Sequence, residues 1–222
     1  MTAKNDPTPN SDLGPRPSAL GPPATGLFLH ASSVVMGGEA ILFLGHSTAG
    51  KSTLARMLGA AYPVLADDAV FAAKRPDGRW GVVDGGFRFG EGDFADWQKR
   101  IRRQIDQRSV PLRGCLRIHK APEIRMGPME PVELARYLMD AAMEIDLQRK
   151  YGRASGFAEM EPSVWEEVLR MRRHWFSLVA EIARTFPGRH FWFSKSSKLP
   201  ELSAMLEKWP SSLEMRQKAS NN

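Results

Sequence analysis

A glycine-rich stretch that ends in a lysine and a serine is the part of the sequence best suited to chemistry. It fits the pattern G-x-x-x-x-G-K-[ST] without a mismatch and runs Gly45-His46-Ser47-Thr48-Ala49-Gly50-Lys51-Ser52, with Thr53 next. Glycines allow several backbone N–H groups to point inward at phosphate oxygens, and a following helix adds the partial positive charge of its N-terminus. Lys51 would reach the β- and γ-phosphates, and the Ser52 hydroxyl would ligate Mg²⁺. The pattern therefore predicts nucleotide binding at residues 45–53, although His46 occupies a variable position that often faces solvent.

Two adjacent carboxylates, Asp67 and Asp68, follow a short apolar strand after this motif. Neighbouring carboxylates repel each other unless a cation lies close by, and a bound Mg²⁺ would supply that cation. One carboxylate would hold the metal while the other accepts a proton from an attacking hydroxyl. A solvated turn is the alternative interpretation, and the nearby phosphate motif favours the functional one.

His30 precedes the motif by fifteen residues, on a segment expected to neighbour the strand that leads into it. By its spacing alone, a lone histidine is more typical of a structural role than of catalysis.

The elements that would position these residues follow from the apolar patterns. Residues 27–35 and 39–44 predict a hairpin turned at Gly37-Gly38, and the second strand leads directly into the motif. We further predict strands at 64–66, 69–73, 80–83, 112–118 and 190–193, and helices at 51–61, from Pro131, at 162–185 and around 202–209. Residues 84–96 predict a glycine-rich loop. The domain would span residues 25–210, between a disordered Pro-rich tail at 1–24 and a frayed end at 211–222.

Composition narrows the class of protein. The 222 residues carry a net charge of +6, with 42% hydrophobic residues, enough for a sizeable core. The single cysteine, Cys115, cannot form an internal disulfide, and we interpret it as a buried structural thiol in a cytoplasmic protein. No apolar run is long enough for a membrane span, and no signal peptide is visible. Basic runs at residues 99–103 and 170–173 predict solvated helix faces, so nucleic acid is a minority interpretation.

Three segments together resemble the core of the HPr kinase/phosphorylase family, which shares its fold with the phosphoenolpyruvate carboxykinases. They are the His30 segment, the strand and loop at 42–52, and Leu65-Ala66-Asp67-Asp68-Ala69-Val70. The resemblance covers residues 27–72 and implies an α/β fold, with a P-loop core sheet and C-terminal helices. It also implies an ATP- and Mg²⁺-dependent kinase that acts on a seryl hydroxyl of a protein or peptide.

Carried over to this sequence, the resemblance assigns a role to each residue. Gly45, Gly50 and Lys51 would cradle the phosphates, and Ser52 would hold Mg²⁺. Asp67 would be the general base and Asp68 would help with the metal, although these two roles could be exchanged. The resemblance places His30 beside the metal and the γ-phosphate.

The sequence also departs from that family. Only a short segment precedes His30, where the bifunctional enzymes have a further domain, and the R-G-L-G sequence of the family is absent. Residues 47–50 also stand where the family usually has a Ser-Gly pair. With these departures, the resemblance implies neither HPr as the acceptor nor the reverse phosphorolysis. Alternatives are a small-molecule kinase of the same fold and a nucleotide-binding regulatory module without transfer. The sequence does not specify the acceptor, the phosphate donor or the oligomeric state, and a homo-oligomer is one possibility. Arg117 or Arg125 could stabilise transition-state charge.

Overall fold

The computed structural model describes residues 26–86, 94–151 and 162–210. The predicted tails at 1–24 and 211–222 lie outside these ranges, as does most of the glycine-rich loop predicted at 84–96. Within the described residues the chain is a mixed α/β protein with a nine-stranded, mostly antiparallel sheet.

The strands are β1 (Gly26–Leu29), β2 (Ser32–Met36), β3 (Glu39–Leu44), β4 (Val64–Ala66), β5 (Val70–Lys74), β6 (Trp80–Asp84), β7 (Val110–Lys120), β8 (Arg125–Met129) and β9 (Gly188–Phe193). The helices are α1 (Lys51–Leu58), α2 (Phe94–Arg108), α3 (Pro131–Tyr151), α4 (Pro162–Thr185) and α5 (Leu199–Glu207).

Strand β7 organises the sheet, whose main path runs β1-β5-β6-β7-β3-β2-β4. It pairs in parallel with β3 on one side. On the other side it pairs first with β6, in antiparallel orientation, and then with β9, in parallel orientation. Strand β8 adds to β9 in antiparallel orientation. The parallel pairing of β3 with β7 sets Leu44 opposite Arg117, so the glycine-rich loop leaves the sheet beside that arginine.

Helices cover both faces of the sheet. On one face, α3 and α4 pack on alternate residues of β1, β3 and β5, and side chains such as Leu42, Leu138 and Val179 form that core. On the other face, α1 and α5 cover β3, β7 and β9, and α2 covers β5 and β6 through Ile101 and Ile105. Strand β3 is buried along its whole length, as expected for a strand covered on both sides.

The predicted single strand at 27–35 was wrong, because the chain bends at His30 and Ala31 between β1 and β2. Strand β1 pairs with β5, whereas β2 pairs with β3 and β4. At the bend, the backbone N–H of His30 donates to the carbonyl of Ala141 in α3 instead of to a neighbouring strand. His30 therefore lies at a junction of elements and not within a strand.

Other boundaries also differ from the prediction. Helix α1 ends at Leu58 instead of Ala61, and α2 begins at Phe94, inside the predicted loop. Strand β8 was not predicted, because Gly127 and Pro128 interrupt its pattern. Proline is tolerated there because β8 pairs only with β9 among the described strands.

Cys115 is fully buried in β7, and burial raises the pKa of its thiol to about 12, which agrees with a structural role. None of the helices in the described ranges is long and apolar enough to cross a membrane.

Candidate functional site

The glycine-rich loop, residues 45–50, connects the end of β3 to the start of α1. A Cβ on Gly45 would lie 2.7 Å from Cβ of Ala49 and 2.9 Å from an Nη atom of Arg117, so only glycine fits there. Gly50 caps α1 with a φ of 107°, a left-handed conformation that favours glycine. The two ends of the loop, at Gly45 and Ala49, are therefore closely packed against each other. His46, Ser47 and Thr48 are exposed on its outside, whereas Ala49 is half-buried.

Lys51 is directed into the loop. Its side chain is buried, and its Nζ donates to the carbonyl of Gly45 at 2.7 Å and to that of His46 at 3.2 Å. Burial lowers the pKa of Lys51, and Arg117 lowers it further, while Glu144, Asp68 and Asp67 oppose the shift. Three carboxylates and a second cation therefore act on this one ammonium group.

The paired carboxylates lie at the turn between β4 and β5, and the two side chains have different environments. Asp67 Oδ1 accepts a hydrogen bond from Ser32 Oγ of β2 at 2.8 Å, which fixes its direction. The Asp68 side chain is 79% exposed, and one of its oxygens lies 3.6 Å from His30 Nε2. One carboxylate is thus held by a neighbouring strand, and the other faces solvent beside a histidine.

Backbone strain is concentrated at the same place. Among the described non-glycine residues, those with positive φ are Thr48, at 72°, and Asp68, at 91°. Such conformations cost of the order of 1–3 kcal/mol each and tend to persist where the surroundings enforce them, often at functional sites. One lies in the glycine-rich loop and the other in the carboxylate turn.

His30 is buried between two carboxylates. Its Nε2 faces Asp68, and its Nδ1 lies 3.6 Å from Glu144 Oε1 of α3. Burial, followed by the charge of Lys51, lowers the pKa of the imidazole despite both carboxylates. At neutral pH His30 is therefore a neutral imidazole, with one N–H donor and one acceptor nitrogen.

Arg117 is the second cation at the loop. Its guanidinium lies against Gly45 and stacks on the Tyr137 ring of α3, with the Cζ-to-centroid distance 4.6 Å. Its Nε is buried and has no hydrogen-bond partner among the described residues. A half-buried guanidinium with an unused donor, next to a phosphate-type loop, is suited to binding an anion.

The donor set fits phosphate and Mg²⁺. Ser52 and Thr53 are half-buried in the first turn of α1, and Asp67 and Asp68 add oxygen ligands of the kind that Mg²⁺ prefers. In the described part of the chain, no group of three or more His, Cys, Asp or Glu side chains is arranged to hold a metal ion. A magnesium ion here would therefore rely on phosphate oxygens and water for its remaining ligands, as is usual for this metal.

A cleft of about 370 Å³ opens beside the loop. Its lining includes Gly50, Thr53, Lys120, Phe193 and Lys195. A larger cleft of about 420 Å³ near Ile124 and Met205 adjoins it and contains none of the predicted site residues.

The fold thus brings together His30, the loop with Lys51, and both aspartates, as the sequence predicted them to be associated. Three further residues of the site were missed or left unresolved by the sequence. Ser32 lies in the His30 segment but received no role, and Glu144 carries no motif. Arg117 was one of two arginines between which the sequence did not choose. Glu144 comes from a helix more than a hundred residues away from His30, so only the packing of α3 shows the contact.

Comparison with known proteins identifies one family. The family model of the SynChlorMet cassette protein ScmC matches residues 22–190, which is more than half of the chain. No curated protein matches the sequence. Among solved structures, the HPr(Ser) kinase/phosphatase from Coxiella burnetii is similar at 10% identity and a TM-score of 0.32. That match covers 85% of this chain and 98% of the other. With a score this low, neither the fold nor the activity of that enzyme transfers to this chain.

Proposed function

The chain belongs to the family of the SynChlorMet cassette protein ScmC, and we propose that it is an ATP- and Mg²⁺-dependent kinase. In this proposal, the γ-phosphate is transferred to a seryl hydroxyl of a protein or peptide. The proposal extends the resemblance of three sequence segments to the HPr kinase/phosphorylase family.

One observation supports the proposal most. A buried lysine with two loop carbonyls as partners lies close to a second cation, Arg117, and to two carboxylates from a different turn. The Nε of Arg117 has no hydrogen-bond partner among the described residues. A loop that only caps a helix needs neither the second cation nor the carboxylates. Phosphoryl transfer needs both, because it depends on positioning and on stabilising charge around the transferred group.

The loop amides at residues 45–50 would bind the phosphates together with Lys51, Ser52 and Thr53. Ser52 and Asp68 would hold Mg²⁺, which when bound neutralises part of the phosphate charge. Lys51 donates two hydrogen bonds to the loop, and an ammonium has three protons, so one remains for a phosphate oxygen. The cleft lined by Thr53 and Phe193 would accept the nucleoside.

In the transfer step, the acceptor oxygen attacks the γ-phosphorus while the bond from that phosphorus to the bridging oxygen of ADP breaks. The hydroxyl proton passes to Asp67, and ADP leaves with the electron pair. The hydrogen bond from Ser32 orients Asp67 for this role. The neutral His30 would hold Asp68 in place. The guanidinium of Arg117 would stabilise the negative charge on the transferred phosphoryl group.

Phosphoryl transfer and ATP turnover in the purified chain test this proposal. The measurement uses γ-labelled ATP with Mg²⁺ and serine peptides as acceptors, and it compares the wild type with Asp67→Asn and Asp68→Asn. Removal of the base should reduce turnover by about 10²–10⁴-fold while ATP binding stays near the wild-type value. Asp68→Asn should instead raise the Mg²⁺ concentration needed for half-maximal turnover.

If Asp67→Asn kept full turnover and Asp68→Asn lost it, the two carboxylates would have exchanged roles. ATP binding with no turnover under any condition, and no transfer to any peptide, would favour a nucleotide-binding regulatory module instead. Transfer to a small hydroxyl compound only would favour a small-molecule kinase.

A further inference from the structure

Six positions form a regular grid on the face of β8, β9 and β7 that α3 partly covers. The cross-strand register sets Arg125, Trp192 and His119 side by side in one row. The next row contains Gly127, His190 and Arg117. The alternate residues of the same strands, such as Ile118 and Phe191, point into the core beneath α1 and α5. This polar grid therefore continues outward from the glycine-rich loop, which Arg117 contacts.

The side chains on both sides of Trp192 in the first row pack on its ring. The His119 ring stacks on Trp192 with 4.9 Å between centroids and 18° between planes. On the neighbouring strand, Arg125 Cζ lies 3.9 Å from the centroid of the same Trp192 ring. The guanidinium of Arg125 is thus fixed by an aromatic ring while the residue itself is exposed. An arginine held in this way keeps its N–H edge available for a bidentate anion.

The Glu133 carboxylate, which lies at the edge of the grid, contacts a histidine and not the two arginines. His119 Nε2 and His190 Nδ1 are 2.9 Å apart, and His190 Nε2 lies 3.3 Å from Glu133 Oε1. Glu133 also accepts a hydrogen bond from Tyr137. The carboxylate of Glu133 is therefore already engaged by α3 and β9, and neither Arg117 nor Arg125 has an ion pair with a described carboxylate.

The two arginines are separated by two strand spacings and two residues along a strand. With strands about 4.8 Å apart and about 3.3 Å per residue, their Cα atoms are about 12 Å apart. Arg117 lies at the loop, where the transferred phosphoryl group would be. With this Cα separation taken as the spacing between the two binding points, an anion on Arg125 would lie three or four extended residues away from the phosphorylated hydroxyl.

We propose that this grid is the acceptor-binding surface, and that it selects a peptide with a carboxylate three or four residues from the target serine. The inference rests on the proposed kinase function and adds the class of acceptor to it. Charge complementarity supports it, because two arginines that lie on aromatic rings and have no ion pair with a described carboxylate line one path that starts at the glycine-rich loop.

The test uses a serine peptide with an alanine background, in which one Asp is scanned from four residues before to four residues after the serine. A parallel series carries Lys at the same positions. Transfer from γ-labelled ATP is measured for the wild type, for Arg125→Ala and for Arg103→Ala, an exposed arginine of α2 that serves as a charge-matched control. In a second arm without ATP, fluorescence anisotropy measures binding of the Asp peptide, labelled with fluorescein.

We expect Asp at three or four residues from the serine to raise kcat/KM by about tenfold over Ala, and Lys to lower it. Arg125→Ala should remove this preference and weaken peptide binding by about tenfold, whereas Arg103→Ala should keep both. Equal transfer to Asp and Lys peptides, or an unchanged preference in Arg125→Ala, would overturn the inference and leave the kinase function in place. If no peptide is phosphorylated, the peptide-kinase function fails, and the anisotropy arm decides the inference. Binding of the Asp peptide that Arg125→Ala does not weaken would then overturn it.

Discussion

Two adjacent buried serines of β2 offer a sharp test of how the candidate base is positioned. Ser32 and Ser33 are both fully buried, and their replacement by alanine removes the same hydroxyl group. Ser32 Oγ donates to Asp67 Oδ1 at 2.8 Å, whereas Ser33 Oγ has no hydrogen-bond partner within residues 26–86, 94–151 and 162–210. The two substitutions should therefore have opposite effects on stability.

The magnitudes follow from these contacts. A hydrogen bond to a charged group contributes about 1.5–3 kcal/mol when buried, and exposure of Asp67 reduces the expected loss in Ser32→Ala to about 1 kcal/mol. Ser33→Ala removes a buried hydroxyl that has no partner in the described part of the chain, so it should stabilise the fold by about 1 kcal/mol. The gap of about 2 kcal/mol corresponds to about 4–8 °C in Tm for a chain of this size.

Scanning calorimetry measures the two Tm values, and ATP turnover is measured on the same samples. Ser32→Ala should also lower turnover by about tenfold, because Asp67 loses its fixed direction while ATP binding is unaffected. Ser33→Ala should leave turnover unchanged. Equal Tm shifts for both variants, or an unchanged turnover in Ser32→Ala, would refute the role of this hydrogen bond.

Two further predictions concern the charges around the loop. Arg117→Lys should reduce turnover by about 10²-fold or more with a smaller effect on ATP binding, because lysine keeps the charge but not the planar guanidinium. Equal kcat values for the wild type and Arg117→Lys would contradict this prediction. The pKa of His30 lies below its ordinary value of 6.5, so the unfolded state binds this proton first as the pH falls. The free energy of unfolding should therefore decrease below about pH 6.5, and His30→Gln should flatten that decrease in urea titrations at pH 7.5, 6.5 and 5.5; parallel profiles would contradict it.

The sequence predicts the centre of the fold well, because there each local signal agrees with the packing. The apolar run of β3, the loop motif and the periodic face of α1 lie next to one another in the chain, so short-range patterns suffice. The same holds for α3 and α4, whose predicted starts at Pro131 and Pro162 coincide with the structure. Proline at the first helical position needs no hydrogen bond from its nitrogen.

The sequence fails where long-range contacts override a local pattern. Residues 27–35 look like one strand because all of them except His30 are apolar or small. Yet β1 and β2 pair with different partners on either side of His30. Strand β8 forms because β9 presents an open edge, although Gly127 and Pro128 disfavour a strand. The supporting residues Ser32 and Glu144 reach the site through sheet register and helix packing, which no spacing in the sequence reveals.

Calorimetric titration of the chain with ATP in the presence of Mg²⁺ tests the central claim most directly. Lys51→Ala is compared with Lys74→Ala, a lysine of β5 that forms an ion pair with Glu181 at 2.8 Å. We predict that the wild type and Lys74→Ala bind ATP with one site per chain and that Lys51→Ala binds at least about tenfold more weakly. Absence of ATP binding in the wild type, or equal affinity in Lys51→Ala, would contradict the assignment of residues 45–53 as a nucleotide site.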